Sequence, residues 1–345
     1  MESVKIPHTK YKNFSLKEAW KIFEIPNPTG HEIYIKNYIK KWCNKHGIST
    51  FEDKIGNLYL TKGECNYYPC LTAHLDCIQP RQTNYISNDS YSKLPIYKNK
   101  SFIRCLDDIG VGGDNKVGIV AALSIIQKFD NIKIAFFVDE ESGMKGSQKL
   151  YKPFFDDVGY VISFDANGEN IVSYECHDKK LFSKKFYNII KDILFENGYN
   201  IIKTAPSDIA NIVRKVKIQG IMLSGGFLHE HKSDEYINLL VLDKAIGTAV
   251  QLIERLGCQR YKLPSRKSYF GDVFLYERYL SMKSLSLTAA KLDLIKEFNI
   301  SADKIIDTIQ TKCEELNIDS SIFNEAFDEV NKYKQTINDV ISRIR

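Results

Sequence analysis

No stretch of this 345-residue chain is long and apolar enough to cross a bilayer; the longest apolar runs, such as residues 117–126, are short and interrupted. The opening, MESVKIPHTKYKNF, lacks the apolar core of a secretory leader. Of the eight cysteines (Cys43, Cys65, Cys70, Cys77, Cys105, Cys176, Cys258 and Cys313), no two show the Cys-x-x-Cys spacing of a zinc knuckle or a redox motif. A chain of this size does not need disulfide staples, so a reduced, cytoplasmic protein without membrane contact is expected. Basic blocks are missing too: 48 Lys and Arg are interspersed with 43 Asp and Glu, leaving a net charge of +5. Nucleic-acid binders concentrate such an excess on one segment, so no nucleic-acid partner is expected. Internal repeats and low-complexity tracts are absent. What remains is ordinary globular composition, 43% hydrophobic and 26% charged, with length for one large α/β domain or two ordinary ones.

The first segments read as two amphipathic helices. Ser15-Leu-Lys-Glu18 is a capping box ahead of Trp20, Ile22 and Phe23. Thr29-Gly-His-Glu32 repeats the device ahead of Ile35, Tyr38, Ile39 and Trp42, with Pro26 and Pro28 breaking the chain between. Alternation at Leu58 and Leu60 predicts a strand. Strands are then predicted over 68–73, 132–138, 160–164 and 216–223, several of them continuously apolar as in a sheet covered on both faces. Helices are predicted over 116–129, 181–196, 207–213 and 239–256, the last stopped by Gly257. This alternation predicts an α/β sheet with helices on both faces. From residue 261 the chain changes character. Tyr261, Tyr269, Phe270, Phe274, Tyr276 and Tyr279 make an aromatic-rich connector. Two or three helices follow, one capped near Ser301 with Ile305, Ile306 and Ile309 on one stripe. The expected division is an α/β domain over 1–260 and a C-terminal helical appendage over 261–345, used for packing or partner contact.

Polar residues gather directly after the predicted strands, where open α/β sheets build their sites. His74 and Asp76 end the first strand, Glu140 and Glu141 follow the next, then Asp165, and His231 follows the last. Asp114 comes after Gly110, Gly112 and Gly113 and directly before a helix. Taken singly, each such residue is more often solvated surface or a cap. Solvated charges have no reason to collect at the same ends of several buried strands, whereas a metal site built across a sheet does. Two imidazoles and three carboxylates offer five contacts, too many for one tetrahedral zinc but suited to two cations sharing a carboxylate and a water. Adjacent Glu140 and Glu141 suit a division into one base and one ligand. Asp76 lies on the same side of an extended strand as His74 and is placed to orient that imidazole.

With these residues in hand, the chain resembles the two-zinc aminopeptidase superfamily that includes peptidase T, the glutamyl-type aminopeptidases and related zinc exopeptidases. The likeness runs in order through Pro28-Thr29-Gly30-His31-Glu32, Asp53-x-x-Gly56-Asn57-Leu58, Leu71-Thr-Ala-His74-Leu-Asp76 and Gly113-Asp114-Asn115-Lys116-x-Gly118. It continues through Val138-Asp-Glu-Glu-Ser-Gly143, Phe164-Asp165 and Ser207-Asp208 to His231-x-x-x-Glu235. Any one motif is loose; the ordered set is specific. The resemblance implies a three-layer zinc-exopeptidase-like fold with a mixed, mostly parallel central sheet. It implies two zinc ions, replaceable by cobalt or manganese, with His74 and Asp165 on one, Glu141 and His231 on the other, and Asp114 bridging. It further implies Glu140 as general base, Asp76 as partner of His74, a cis bond between Asp114 and Asn115, and His229 as a neighbour or substrate contact. His177 has no slot in the pattern.

The expected activity is removal of N-terminal residues from short peptides, with a carboxylate such as Asp208 available to select the α-amine. Two other readings stand beside it: an N-acyl amino-acid deacylase or carboxypeptidase on the same scaffold, and a non-catalytic binding scaffold. Peptidase T-like enzymes insert a lid and dimerisation domain between the third carboxylate and the last histidine, an interval filled here by predicted helices and a strand. Glutamyl-type enzymes insert a barrel between the first histidine and the bridging Asp, where this chain has room for a long loop only. No lid is therefore expected, and self-association or a protein partner falls to the helical tail.

Overall fold

The computed structural model describes residues 11–87, 90–106, 109–176, 178–264, 328 and 331. The chain divides into two compact units, Met1–Ser268 and Tyr269–Arg345. The tail helix expected near Ser301, most of the aromatic connector, and His177 lie outside the described residues.

In chain order the first strands are β1 (Ser49–Glu52), β2 (Leu58–Lys62), β3 (Tyr68–His74), β4 (Ile86–Ser87), β5 (Ser90–Tyr91), β6 (Ile96–Asn99), β7 (Phe102–Cys105) and β8 (Ile132–Phe137). They are followed by β9 (Val158–Ala166), β10 (Ile171–Cys176), β11 (Lys179–Lys180), β12 (Asn200–Thr204), β13 (Gln219–Ser224), β14 (Phe227–Leu228) and β15 (Tyr236–Asn238). The helices are α1 (Leu16–Phe23), α2 (Ile33–Lys45), α3 (Gly113–Ile125), α4 (Lys145–Gln148), α5 (Lys184–Glu196), α6 (Asp208–Val216) and α7 (Leu239–Leu256).

Among the described residues nine strands form the main sheet, in the order β1-β2-β8-β3-β9-β13-β10-β11, with β12 also paired to β10. The four central strands β8, β3, β9 and β13 are parallel, and antiparallel strands flank them. Every residue of β3, β8 and β13 is buried, the reason these runs read as continuously apolar. Helices cover both faces. On one, α3 approaches so closely that a side chain on Gly118 would stand 2.8 Å from the Cβ of Ala73. Thr72 and His74, which alternate with Ala73 along β3, line a small cavity with Ile209 of α6 on the other face. All four central parallel strands present their C-terminal ends on one side of the sheet, and the candidate residues collect there.

Two local expectations are corrected. Thr29 does not cap a helix: α2 begins after Glu32, and the Thr29 hydroxyl instead donates to Asp76 Oδ2 at 3.0 Å. The interval between His74 and Asp114 is more than a long loop. It supplies β6 and β7, which join β15 and β14 in a separate four-stranded sheet ordered β14-β15-β7-β6. Ser15 does cap α1, its side chain accepting from the Glu18 amide, while the Glu18 carboxylate turns to Lys21 and Tyr38 instead of closing the box.

Candidate metal centre

His74 is the last residue of β3 and is only 2% exposed. Its Nδ1 lies 3.0 Å from the Asp76 carbonyl oxygen, leaving Nε2 aimed at Asp114 Oδ1 (3.0 Å) and Asp165 Oδ1 (3.3 Å). Asp165 stands near the end of β9, beside β3. Its Oδ1 accepts from Asn115 Nδ2 at 2.7 Å, and its Oδ2 accepts from the Ser207 hydroxyl. Ser207 holds the N-cap position of α6, as expected, but spends its hydroxyl on Asp165 rather than on the helix.

Asp114 enters from the glycine-rich turn. Gly112 has φ of +71°, and a side chain on Gly113 would stand 2.9 Å from both Ile237 and Phe227, so only glycine fits this approach. The bond between Asp114 and Asn115 is cis. Buried Glu235 pins the turn, its carboxylate accepting from the amides of Gly112 (2.7 Å) and Asp114 (3.0 Å). The second oxygen of Asp114 reaches His231 Nε2 at 3.2 Å, and that same nitrogen lies 3.0 Å from Glu141 Oε2.

The donor atoms thus fall into two groups sharing one carboxylate: His74, Asp114 and Asp165; and Asp114, Glu141 and His231. In each, the donor atoms lie within 4.8 Å of one another. Glu140 stands beside both, grouped with His74 and Glu141. These imidazole and carboxylate donors suit borderline and hard divalent cations, and Asp114 turns one oxygen toward each group, as a bridging ligand must.

Asp76 stands beside His74, as expected, and does a second job as well. Its carboxylate is 3.6 Å from His74 Nδ1, and its two oxygens also accept from the backbone amides of Glu140 (3.0 Å) and Glu141 (3.2 Å). The orienting contact to the imidazole comes more closely from the Asp76 carbonyl. Asn57 fixes the same turn from the other side, accepting from the Val138 amide at 3.2 Å and donating to the Gly146 carbonyl at 3.1 Å. His229 turns to Asp234 at 2.7 Å and belongs to neither group. Asp208, the expected anchor for an α-amine, is 3% exposed and does not line the open cleft. Sequence reasoning passed over Asn115, Ser207, Glu235 and Asn57 as contributors, although each stands inside a quoted motif.

The electrostatics describe a centre short of positive charge. Burial pushes Glu140 up to about 10, a shift the charges of Asp165, Asp208 and Asp114 reinforce. Burial likewise raises Glu141 and Asp165. Burial alone would lower the His74 pKa, but Asp165 and hydrogen bonds to Asp114 and Asp165 carry it well above the usual histidine range. Hydrogen bonds to Asp114 and Glu141 raise His231 to about 10. Protons thus collect where carboxylates crowd, and divalent cations would displace them.

A cleft of about 340 Å³ opens over the two groups, with an opposite wall that includes residues 202–206. Among its described lining residues Lys203 is the one lysine or arginine, 2.7 Å from Glu175.

The fold is that of the zinc-exopeptidase-like metallopeptidases, and the superfamily resemblance read from the sequence holds. No family model matches the chain. Over 183 residues it is 30% identical to the cytosol non-specific dipeptidase of Escherichia coli K12, covering 49% of this chain and 37% of that protein. The chain therefore spans little more than a third of this curated relative. Among solved structures, aminopeptidase PepT from Bacillus cereus ATCC 10987 superposes with a TM-score of 0.57 at 13% identity, over 70% of this chain and 97% of that one. The TET1 peptidase of Pyrococcus horikoshii, which can assemble into a tetrahedron or a large octahedral shell, superposes at 0.50 with 18% identity, over 69% and 99%.

Proposed function

We propose that this chain is a dinuclear metallopeptidase that removes N-terminal residues from short peptides. The observation that carries the reading is the pair of donor groups sharing Asp114. In it, His74 and Asp165 would hold one ion and Glu141 and His231 the other, with Asp114 available to both; zinc is the metal the donor set suits best, with cobalt or manganese as substitutes. When bound, the ions acidify a water and polarise the scissile carbonyl. Glu140, lining the cleft beside His74, would act as general base, taking a proton from a water in the cleft and returning it to the leaving amine. Asp76 steadies both Glu140 and Glu141 through their amides. The test is Glu140→Gln, assayed for bound metal and for peptide hydrolysis. Both ions should stay while turnover falls by about 10²–10⁴-fold. A variant with both ions and unchanged turnover would remove Glu140 from the role.

One observation favours the second reading, an N-acyl amino-acid deacylase or carboxypeptidase. Lys203 keeps donors free beyond its bond to Glu175 and is placed to receive a substrate carboxylate. Comparing an amino-acid p-nitroanilide with an acetylated amino acid separates the two. We further propose a cytoplasmic location and self-association through surfaces that include residues 261–345. No helix among the described residues is long and apolar enough to cross a membrane.

A further inference from the structure

Two cysteines far apart in sequence meet in the fold. Cys65 lies in the turn between β2 and β3, and Cys258 directly follows Gly257, the residue that ends α7. Arg260, two residues past Cys258, lies over the ring of Tyr67, two residues past Cys65, and the two cysteine side chains interact. The chain after Cys258 packs against the β2–β3 turn and against the start of β9. The Arg260 guanidinium sits 5.6 Å from the Tyr67 ring centroid, and the Tyr261 amide donates to the Gly159 carbonyl at 3.0 Å. Gly159 itself must be glycine, since a Cβ there would stand 2.0 Å from the Gln259 carbonyl oxygen. Within the β2–β3 turn the Cys65 amide donates to the Tyr68 hydroxyl and its thiol to the Tyr67 carbonyl, both at 3.3 Å.

Access separates this pair from the other described cysteines. Cys258 is exposed and Cys65 partly so, whereas Cys43, Cys70, Cys77, Cys105 and Cys176 are all buried. The pair is also remote from the metal centre. Cys65 precedes β3 and His74 ends it, and seven extended residues span about 20 Å.

We propose that Cys65 and Cys258 form a reversible disulfide, a modification site independent of the hydrolytic reading. The oxidant is a small-molecule disulfide of the glutathione class. The exposed Cys258 thiolate attacks one of its sulfurs, the S–S bond breaks, and one glutathione leaves as thiolate. The Cys65 thiolate then attacks Cys258 Sγ and expels the second glutathione. Two protein thiols lose two electrons and two protons, and one disulfide becomes two thiols. Burial and the adjacent Cys258 push the Cys65 thiol up, so the resolving step is the slower of the two. The bond would tie the β2–β3 turn to the segment leaving α7 and close a long loop of chain, so oxidation raises the thermal midpoint.

The full chain is incubated with graded ratios of reduced to oxidised glutathione, alkylated and mapped by non-reducing peptide mass spectrometry. A peptide joined through Cys65 and Cys258, two hydrogens lighter than its reduced parts, is expected, with the thermal midpoint raised and the buried cysteines unlabelled. In Cys65→Ser, glutathione should accumulate on Cys258 because nothing resolves it. Both thiols staying free, each carrying glutathione without a link, or Cys258 joined to Cys313 instead would each overturn the proposal.

Discussion

His74 and Asp165 end neighbouring strands of the parallel core and are 2% and 8% exposed, while His231 is 43% exposed and holds a left-handed φ of +62° between β14 and β15. The two donor groups therefore differ in how they are built, although Asp114 belongs to both. The inner group is fixed by sheet register and by polar partners such as Asn115 and Ser207, so its geometry exists before any ion arrives. The outer group depends on a connection between two short strands, where local opening costs less. Binding order and tightness should follow that difference: the inner ion first and tighter, the outer ion later and exchangeable.

The bluntest way to break this picture is to remove what the groups share. In Asp114→Ala both ions should be lost on dialysis and hydrolysis should fall by about 10³-fold or more, read by elemental analysis and peptide assay. One ion retained at full occupancy would show that Asp114 does not serve both groups. A sharper test compares the histidines. His231→Ala should keep one tightly held ion with hydrolysis reduced by about 10²-fold, whereas His74→Ala should lose the inner ion and stability with it, leaving a buried carboxylate cluster uncompensated. Equal losses in the two variants would erase the distinction.

The smallest effect is on pH dependence. His231 and Glu140 are both raised to about 10, so the metal-free folded protein holds protons there that the unfolded chain has released above its ordinary values. Stability from these groups is thus greatest at low pH and is lost as pH rises toward 10. Metal binding runs the other way, because it must expel those protons. Thermal midpoints of chelated and metal-loaded protein should diverge from about pH 6 to about pH 9 by a few degrees. A constant gap would mean that the protons are not where the geometry puts them.

Much of this was legible in the chain itself. The predicted strands at 68–73, 132–138 and 160–164 and the helix at 239–256 correspond to β3, β8, β9 and α7 within a few residues. They are long or continuously apolar, and local pattern reports such elements well. The small sheet of β14, β15, β7 and β6 was not legible. Its strands are two to four residues long, β6 alternates half-buried with exposed positions, and pairing across more than a hundred residues leaves no local trace. The same limit applies within the site. His74, Asp114, Glu141, Asp165 and His231 stand out by residue type and position, but the work of Glu235, Asn57 and Thr29 appears only once distant backbone amides and carboxylates meet them.

The reach of Asp76 has a consequence for any effort to retune this centre. A single carboxylate grips two consecutive amides, so Glu140, the proposed base, and Glu141, the proposed ligand, share one tether. Loosening that tether shifts both together, and a change at position 76 alone cannot trade one for the other. Separating them would take redesign of the 139–143 turn itself.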